Sequence, residues 1–167
     1  CRLTLVLHGF CLPYKTPLRD TLEPLKAAAP LGFLTGDLEI ACLSLHCRAI
    51  TGAFCGIPIE STHSEMLRYI GTFREMGQDL LVSHLSVFAQ MMENLRYPKR
   101  DPCLLTGDAL NEGKTIERVK LARDESESIN IWLSKAFLAL YLGEHRRGKG
   151  FMRALRKHSI DGVNAAM

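Results

Sequence analysis

Apolar residues recur at helical spacing along most of the chain, and two kinds of segment alternate. Segments that are apolar on several sides begin near Leu3, Leu38, Leu80 and Ile129, a pattern typical of helices buried between neighbours. Segments with a single apolar stripe follow them, and glycine-containing turns lie between the two kinds. The pattern predicts an all-α fold.

The starts of the buried segments recur at intervals of roughly 35 to 49 residues, a spacing typical of stacked antiparallel helical hairpins. In such a stack each hairpin buries its apolar face against its neighbours. We therefore predict a helical-repeat module, an α-solenoid fragment, over residues 1–158. Residues 159–167 lack a helix cap and are expected to form a frayed tail. The predicted hairpins cover residues 1–34, 37–76, 79–123 and 127–157.

Prolines, glycines and acidic residues mark the predicted breaks. Pro17 is placed to open the second helix, in which Pro24 and Pro30 predict kinks or early stops. Residues 97–108, with two prolines and a glycine, predict a long insertion at one edge of the stack. The acidic residues 124–127 predict a joint before the last strongly apolar helix.

Composition and charge add few constraints. The chain is 47% hydrophobic and 23% charged, and its net charge of +3 is too small to indicate a nucleic-acid partner. No apolar stretch approaches the ~20 residues of a membrane span and no signal-peptide pattern occurs, so we expect a cytoplasmic protein without membrane insertion. Because the chain begins at Cys1 within a helical pattern, we expect it to be a fragment.

Six cysteines would suggest disulfides in a secreted protein, but here most lie in apolar helical patterns. Reduced thiols that pack as small hydrophobic side chains are the favoured interpretation. Cys42 and His46 are four residues apart on one predicted helix and could share a metal ion, with Cys47 and Cys55 nearby. Since no Cys-x-x-Cys pair supplies the remaining ligands, packing explains these positions better.

The segment GDALNEGKT, from Gly107 to Thr115, suggests a phosphate-binding loop at first sight. That loop requires four residues between its first glycine and Gly-Lys-Thr, so that successive amides surround the phosphates. Here five residues separate Gly107 from Gly113, and Pro98 and Pro102 disfavour a preceding strand. A turn followed by a helix N-terminus is the better interpretation.

A basic segment without any acidic residue runs from His145 to His158. It could contact phosphate or an acidic partner surface, although a solvated helix face explains it more simply. Only Phe151 is available within it to stack on bases. Its cations are Arg146, Arg147, Lys149, Arg153, Arg156 and Lys157.

No pattern in the sequence indicates catalysis. Neither a nucleophile elbow nor a His-Glu-x-x-His motif occurs, and core packing explains Trp132. We therefore predict no enzyme activity and assign no catalytic, cofactor-binding or metal-binding residue.

The segment AFLALYLGEHRRGKGFMRAL resembles a tetratricopeptide hairpin. Ala136, Tyr141 and Gly143, followed by Phe151 and Ala154, match the pattern of that repeat. The sequence departs from it at residue 148, where a glycine stands in place of the alanine that normally packs the two helices together.

A wider resemblance covers the chain from Arg2 to about Leu155, and its most specific parts are GDLEIA at Gly36 to Ala41 and the GxPxE turn at Gly56 to Glu60. It is similar to the tetratricopeptide-like helical region of large signalling proteins built around an AAA-type or STAND-type ATPase. In that family a histidine kinase or nucleotide cyclase follows the helical region. The resemblance implies a non-catalytic segment that contacts neighbouring domains of its own chain and is open to other protein partners, but does not contact nucleic acid.

Two functions follow as hypotheses. The first is a helical scaffold that couples an ATPase to downstream signalling domains, and the second is a free-standing adaptor that binds peptide segments. If the chain is cut from a longer array, the apolar residues of its first hairpin should remain partly exposed and promote self-association. The basic helix from Arg146 to Lys157 should fray, because Gly148 and Gly150 each cost about 1 kcal/mol relative to alanine.

Overall fold

The structure is a computed structural model that describes residues 1–97, 100–122 and 124–165, with side chains up to residue 157. About 80% of it is helical, and no strand lies in the described ranges. The prediction of an all-α fold is confirmed.

Eight α-helices lie in the described residues, and the helices predicted to begin near Leu38 and Leu80 begin within one residue of those positions. A π-helical turn continues the first helix over Val6–Cys11, and 3-10 turns occupy Leu12–Tyr14 and Leu18–Thr21. The α-helices are α1 (Arg2–Leu5), α2 (Leu22–Thr35), α3 (Leu38–Ala53), α4 (Ile59–Glu75), α5 (Asp79–Arg96), α6 (Glu112–Ala122), α7 (Glu125–Tyr141) and α8 (His145–Ala165).

The chain forms two compact units, and the division between them falls inside α5. We call Cys1–Leu85 the N-terminal unit and Ser86–Met167 the C-terminal unit. Each has buried apolar side chains of its own.

In the N-terminal unit α2 packs against α3, and α3 packs against α4. Gly32 lies at a tight contact between α2 and α3, because a methyl group at this position would come within 2.8 Å of the Ala41 side chain. Short turns connect the helices, and Gly36, Gly56 and Gly77 adopt positive φ angles there. Glycine is favoured at such positions because it has no Cβ to clash with the backbone.

The two prolines of the second helix do not end it, contrary to one of the two expectations for them. Pro24 lies in the first turn of α2, where its missing N–H would have no helical partner in any case. Pro30 lies inside the helix on an exposed side, where water can reach the carbonyl that it leaves without a donor. α2 therefore continues to Thr35.

The first apolar segment is mostly exposed rather than buried. Leu5 is 2% exposed, whereas Leu3, Val6 and Phe10 are 78%, 51% and 53% exposed. The expectation that the first helix is buried was wrong, and the expectation that apolar residues of the first hairpin lie exposed is confirmed.

In the C-terminal unit α7 packs against α8, and α6 packs against α7. Gly143, with a φ angle of 75°, forms the turn between α7 and α8. The predicted acidic joint is instead the start of α7, where the Asp124 carboxylate accepts a hydrogen bond from the Glu127 N–H at 3.0 Å. Acidic side chains favour a helix N-terminus because its free N–H groups carry partial positive charge.

The connection between α5 and α6 is not a peripheral insertion along its whole length. Cys103 and Leu105, near its middle, are completely buried. Pro98 and Lys99 lie outside the described residues. At the other end of the unit α8 continues to Ala165, past residue 159, where the predicted frayed tail begins.

Among the described residues no helix is both long enough and apolar enough to cross a membrane.

Candidate functional site

Side chains of α5 hold the connection between α5 and α6 in place. The Gln90 carbonyl oxygen accepts hydrogen bonds from the N–H groups of Ala109 and Leu110, at 3.2 and 3.1 Å. The Asn94 amide donates to the carbonyl oxygens of Pro102 and Leu104, at 3.0 and 2.8 Å. Gln90 also donates to Asn94 at 2.9 Å, and both side chains are fully buried. These bonds satisfy the polar groups of the two buried side chains together with backbone groups of the connection.

A buried ion pair joins the same connection to α6 and α7. The Lys135 ammonium donates to the carboxylate of Glu112, whose other oxygen accepts from the Leu105 N–H at 2.7 Å. The pair is nearly inaccessible to water, since both side chains are at most 10% exposed. The Lys135 nitrogen also lies 5.3 Å from the centre of the Phe151 ring, which links this pair to α8.

Arg147 of α8 attaches the connection from a second side. Its guanidinium contacts the Asp101 carboxylate at 2.8 and 3.0 Å, and this hydrogen bond lowers the pKa of Asp101 below its usual value. The connection is thus bonded to α5, α6 and α8 directly, and to α7 through Glu112.

The GKT segment forms the turn and helix start that the sequence favours. The Gly107 N–H donates to the Leu110 carbonyl at 2.8 Å, and the Lys114 N–H donates to the Asn111 side chain at 3.1 Å. The Glu112 N–H donates to the Thr106 hydroxyl at 3.2 Å. Amides of this segment that a phosphate-binding loop would direct at its ligand, such as those of Gly107 and Lys114, are therefore bonded within the chain.

The cysteine and histidine candidates of α3 do not converge on one point. Cys42 is buried and Cys47 is half-buried on α3, whereas Cys55 lies in the turn after the helix. Across the described residues no group of three or more potential ligands is arranged to hold a metal ion. Burial raises the pKa of the Cys47 thiol to about 11, so it is protonated at neutral pH.

The neighbour of His46 is another histidine, which the sequence did not single out. The rings of His46 and His84 are 6.1 Å apart, and the Phe73 ring lies 6.5 Å from His46. Burial, with a smaller effect from His84, lowers the pKa of His46 to about 4. His46 is therefore a neutral side chain of the core at physiological pH.

Arg48 forms a buried cluster on the same unit. It pairs with the Glu65 carboxylate, which also accepts a hydrogen bond from the Tyr69 hydroxyl at 2.7 Å. Burial and this bond raise the pKa of Tyr69 to about 12. The cluster connects α3 to α4.

The C-terminal unit has a concave surface between α7 and α8, a groove with a volume of about 580 Å³. Its floor is apolar, and Leu140 and Met152 remain 62% and 44% exposed. The absence of a side chain at Gly148 leaves space in the groove, because a methyl group there would lie in contact with the Ala139 side chain, at 3.4 Å. The lining residues are Leu133, Ala136, Phe137, Leu140, His145, Gly148, Lys149 and Met152.

The basic segment lies along one side of this groove. Lys149 and Met152 also line a smaller cleft of about 330 Å³, together with Arg153 and Arg156. Arg147 belongs to the ion pair with Asp101, whereas Lys149, Arg153 and Arg156 are exposed. The side chain of His158 lies outside the described residues. We call the groove and these three cations the basic groove.

Trp132 belongs to α7 but does not line the groove. It is half-buried, and its ring is 6.2 Å from the Phe151 ring. The sequence identified the basic segment and Phe151 but not the groove, because a groove depends on which faces of two helices meet. The available signal was that apolar residues lie on several sides of α7, more than one neighbouring helix can cover.

Comparisons with protein families, with curated proteins and with solved structures find no match to this chain.

Proposed function

We propose that this chain is a non-catalytic helical scaffold that couples an AAA-type or STAND-type ATPase to a histidine kinase or nucleotide cyclase in a larger signalling protein. The observation that supports it most is the hairpin of α7 and α8. It lies where the sequence resembles a tetratricopeptide repeat, with Gly143 in the turn and Gly148 opposite Ala139. Tetratricopeptide repeats stack such hairpins into rigid arrays.

The residues that carry the wider resemblance have structural roles, as a scaffold requires. Gly36 ends α2 with a positive φ angle, and Ala41 packs against Gly32 where α2 meets α3. Gly56 and Pro58 form the turn that precedes α4. Rigid connections of this kind suit a segment that transmits rigid-body movement between domains.

A second function is an adaptor that binds peptide segments of partner proteins. The basic groove favours it, because exposed apolar side chains in a concave surface are typical of peptide-binding sites.

The scaffold proposal predicts that the isolated chain neither binds nor hydrolyses ATP. Calorimetric titration with ATP and Mg²⁺ should give no heat of binding, with wild type and Lys114→Ala indistinguishable. Micromolar affinity that the substitution abolishes would contradict the proposal, because it would show that the GKT segment holds a phosphate.

The reading frame upstream of Cys1 separates the two functions. An ATPase domain encoded there supports the coupling scaffold, whereas a start codon shortly before Cys1 supports the adaptor.

A further inference from the structure

The basic groove has chemical features that restrict what it can bind. Its floor offers apolar contact over a volume of about 580 Å³, and it is open enough that Leu140 remains 62% exposed. A groove between two helices accommodates the apolar face of a third helix, whose side chains repeat at i, i+3, i+4 and i+7.

Within α8, the charged side chains beside the groove are all cations. Between His145 and Lys157 α8 contains no acidic residue, and neither does α7 between Ser128 and Tyr141. Lys149, Arg153 and Arg156 lie three or four residues apart and therefore share one face of α8. Glu144 precedes α8 and, like Arg153 and Arg156, lies outside the set of residues that line the groove itself.

From this combination we propose that the basic groove binds an acidic amphipathic helix of a protein partner. The apolar side chains of that helix enter the groove, and its carboxylates face Lys149, Arg153 and Arg156. The charges steer association and fix the orientation of the bound helix, while the apolar contacts supply most of the affinity.

An anionic membrane surface would offer similar charge, but the shape of the site favours a helix. Peripheral helices enter a membrane with a convex apolar face. Here the apolar residues lie in a concave surface, and Met152 is the only large apolar side chain on α8 that is exposed among those the structure describes. Phe151 and Leu155 are half-buried.

The test uses the full chain and a fluorescein-labelled peptide of about 18 residues, long enough for five helical turns. The peptide has leucine at i, i+3, i+4 and i+7 and glutamate at the other positions. A matched peptide carries lysine instead of glutamate, and vesicles of phosphatidylserine and phosphatidylcholine serve as the membrane probe. Fluorescence anisotropy gives Kd for the peptides, and co-sedimentation measures binding to vesicles.

Two variants alter the groove, and two matched variants alter exposed residues of α6 in the same unit. Lys149→Glu and Leu140→Asn should each raise Kd for the acidic peptide about tenfold, the first through charge and the second through apolar contact. Lys120→Glu and Leu121→Asn make the same changes at exposed positions of α6 and should leave Kd unchanged. Raising salt from about 0.05 M to about 0.5 M should weaken wild-type binding.

The proposal is overturned if the lysine peptide binds as tightly as the acidic one, or if the groove variants behave like the α6 variants. It is also overturned if the acidic peptide fails to bind while vesicles sediment the chain, since the surface would then recognise lipid. The proposal concerns the groove alone, so its failure would leave the scaffold function standing.

Discussion

The turns that follow α2, α3 and α4 in the N-terminal unit differ from the connection between α5 and α6 in the C-terminal unit. Each of these turns is short, and a glycine with a positive φ angle reverses the chain directly there, as Gly143 does after α7. In the C-terminal unit residues 97–111 form a long connection, and its described part is held by Gln90, Asn94 and the Glu112–Lys135 pair. The comparison shows that a short connection depends on backbone geometry, whereas a long one depends on buried side chains that satisfy its polar groups.

The largest expected effect follows from breaking the buried ion pair of the C-terminal unit. Lys135→Met leaves the Glu112 carboxylate buried without its cation, which typically costs about 3–5 kcal/mol. Urea unfolding followed by the fluorescence of Trp132, the single tryptophan, measures the loss in this unit.

The matched control is the exposed pair Arg2–Asp37 of the N-terminal unit, in which the Arg2 side chain is 74% exposed. Arg2→Met should leave the free energy of unfolding unchanged within error. Equal effects of the two variants would contradict the role assigned to the buried pair.

Acid should act on the N-terminal unit through His46. An unfolded histidine has a pKa near 6.5 and the folded pKa is about 4, so the unfolded state binds more protons between these values. The contribution of neutral His46 to the free energy of unfolding is therefore complete above pH 6.5. It is lost as the pH falls towards 4, by on the order of 3 kcal/mol.

His46→Leu should reduce this dependence on pH, whereas the exposed His145→Gln should not. Urea unfolding at several pH values measures the difference, and hydrogen exchange of α3 peptides locates it. A variant with the same pH profile as wild type would show that His46 is not the residue that titrates.

A smaller effect distinguishes the two helix contacts that involve glycine. Gly32→Ala should destabilise the N-terminal unit by about 1–3 kcal/mol, because the new methyl group would lie 2.8 Å from the Ala41 side chain and 3.1 Å from the Asp37 carbonyl oxygen. Gly148→Ala meets only the Ala139 side chain, at 3.4 Å, and should be tolerated. Thermal unfolding of both variants tests whether the α2–α3 contact is the tighter one.

The smallest effect is a gain. Gly150 lies inside α8 with no atom within 4 Å of an added methyl group, so Gly150→Ala should stabilise the helix by about 0.5–1 kcal/mol. Circular dichroism during thermal unfolding measures the gain. A loss would mean that α8 needs flexibility at this position for its packing.

Periodicity and turn residues were sufficient to predict most of the helices. The starts of α3, α4 and α5 follow from apolar spacing together with Gly36, Gly56 and Gly77, because these signals are local. The start of α7 was placed too late, since the acidic residues were interpreted as a joint although Asp124 is a capping residue.

Features that depend on distant residues could not be predicted. The pairing of Glu112 with Lys135, 23 positions apart, leaves no local pattern, and neither does the contact of His46 with His84. The exposure of Leu3 and Val6 could not be predicted either, because periodicity identifies an apolar face but not whether another element covers it.

The bonds around the long connection also bear on how fast the C-terminal unit folds. Asn94 reaches Leu104 across 10 positions, Gln90 reaches Leu110 across 20, and the most distant bond, from Arg147 to Asp101, spans 46. Each doubling of loop length adds only about 0.6 kcal/mol to the entropic cost of closing the loop, and contacts between residues near in sequence favour fast folding. We expect the bonds from Gln90 and Asn94 to form before the bond from Arg147 to Asp101, so that α5 fixes the long connection before α8 packs on it.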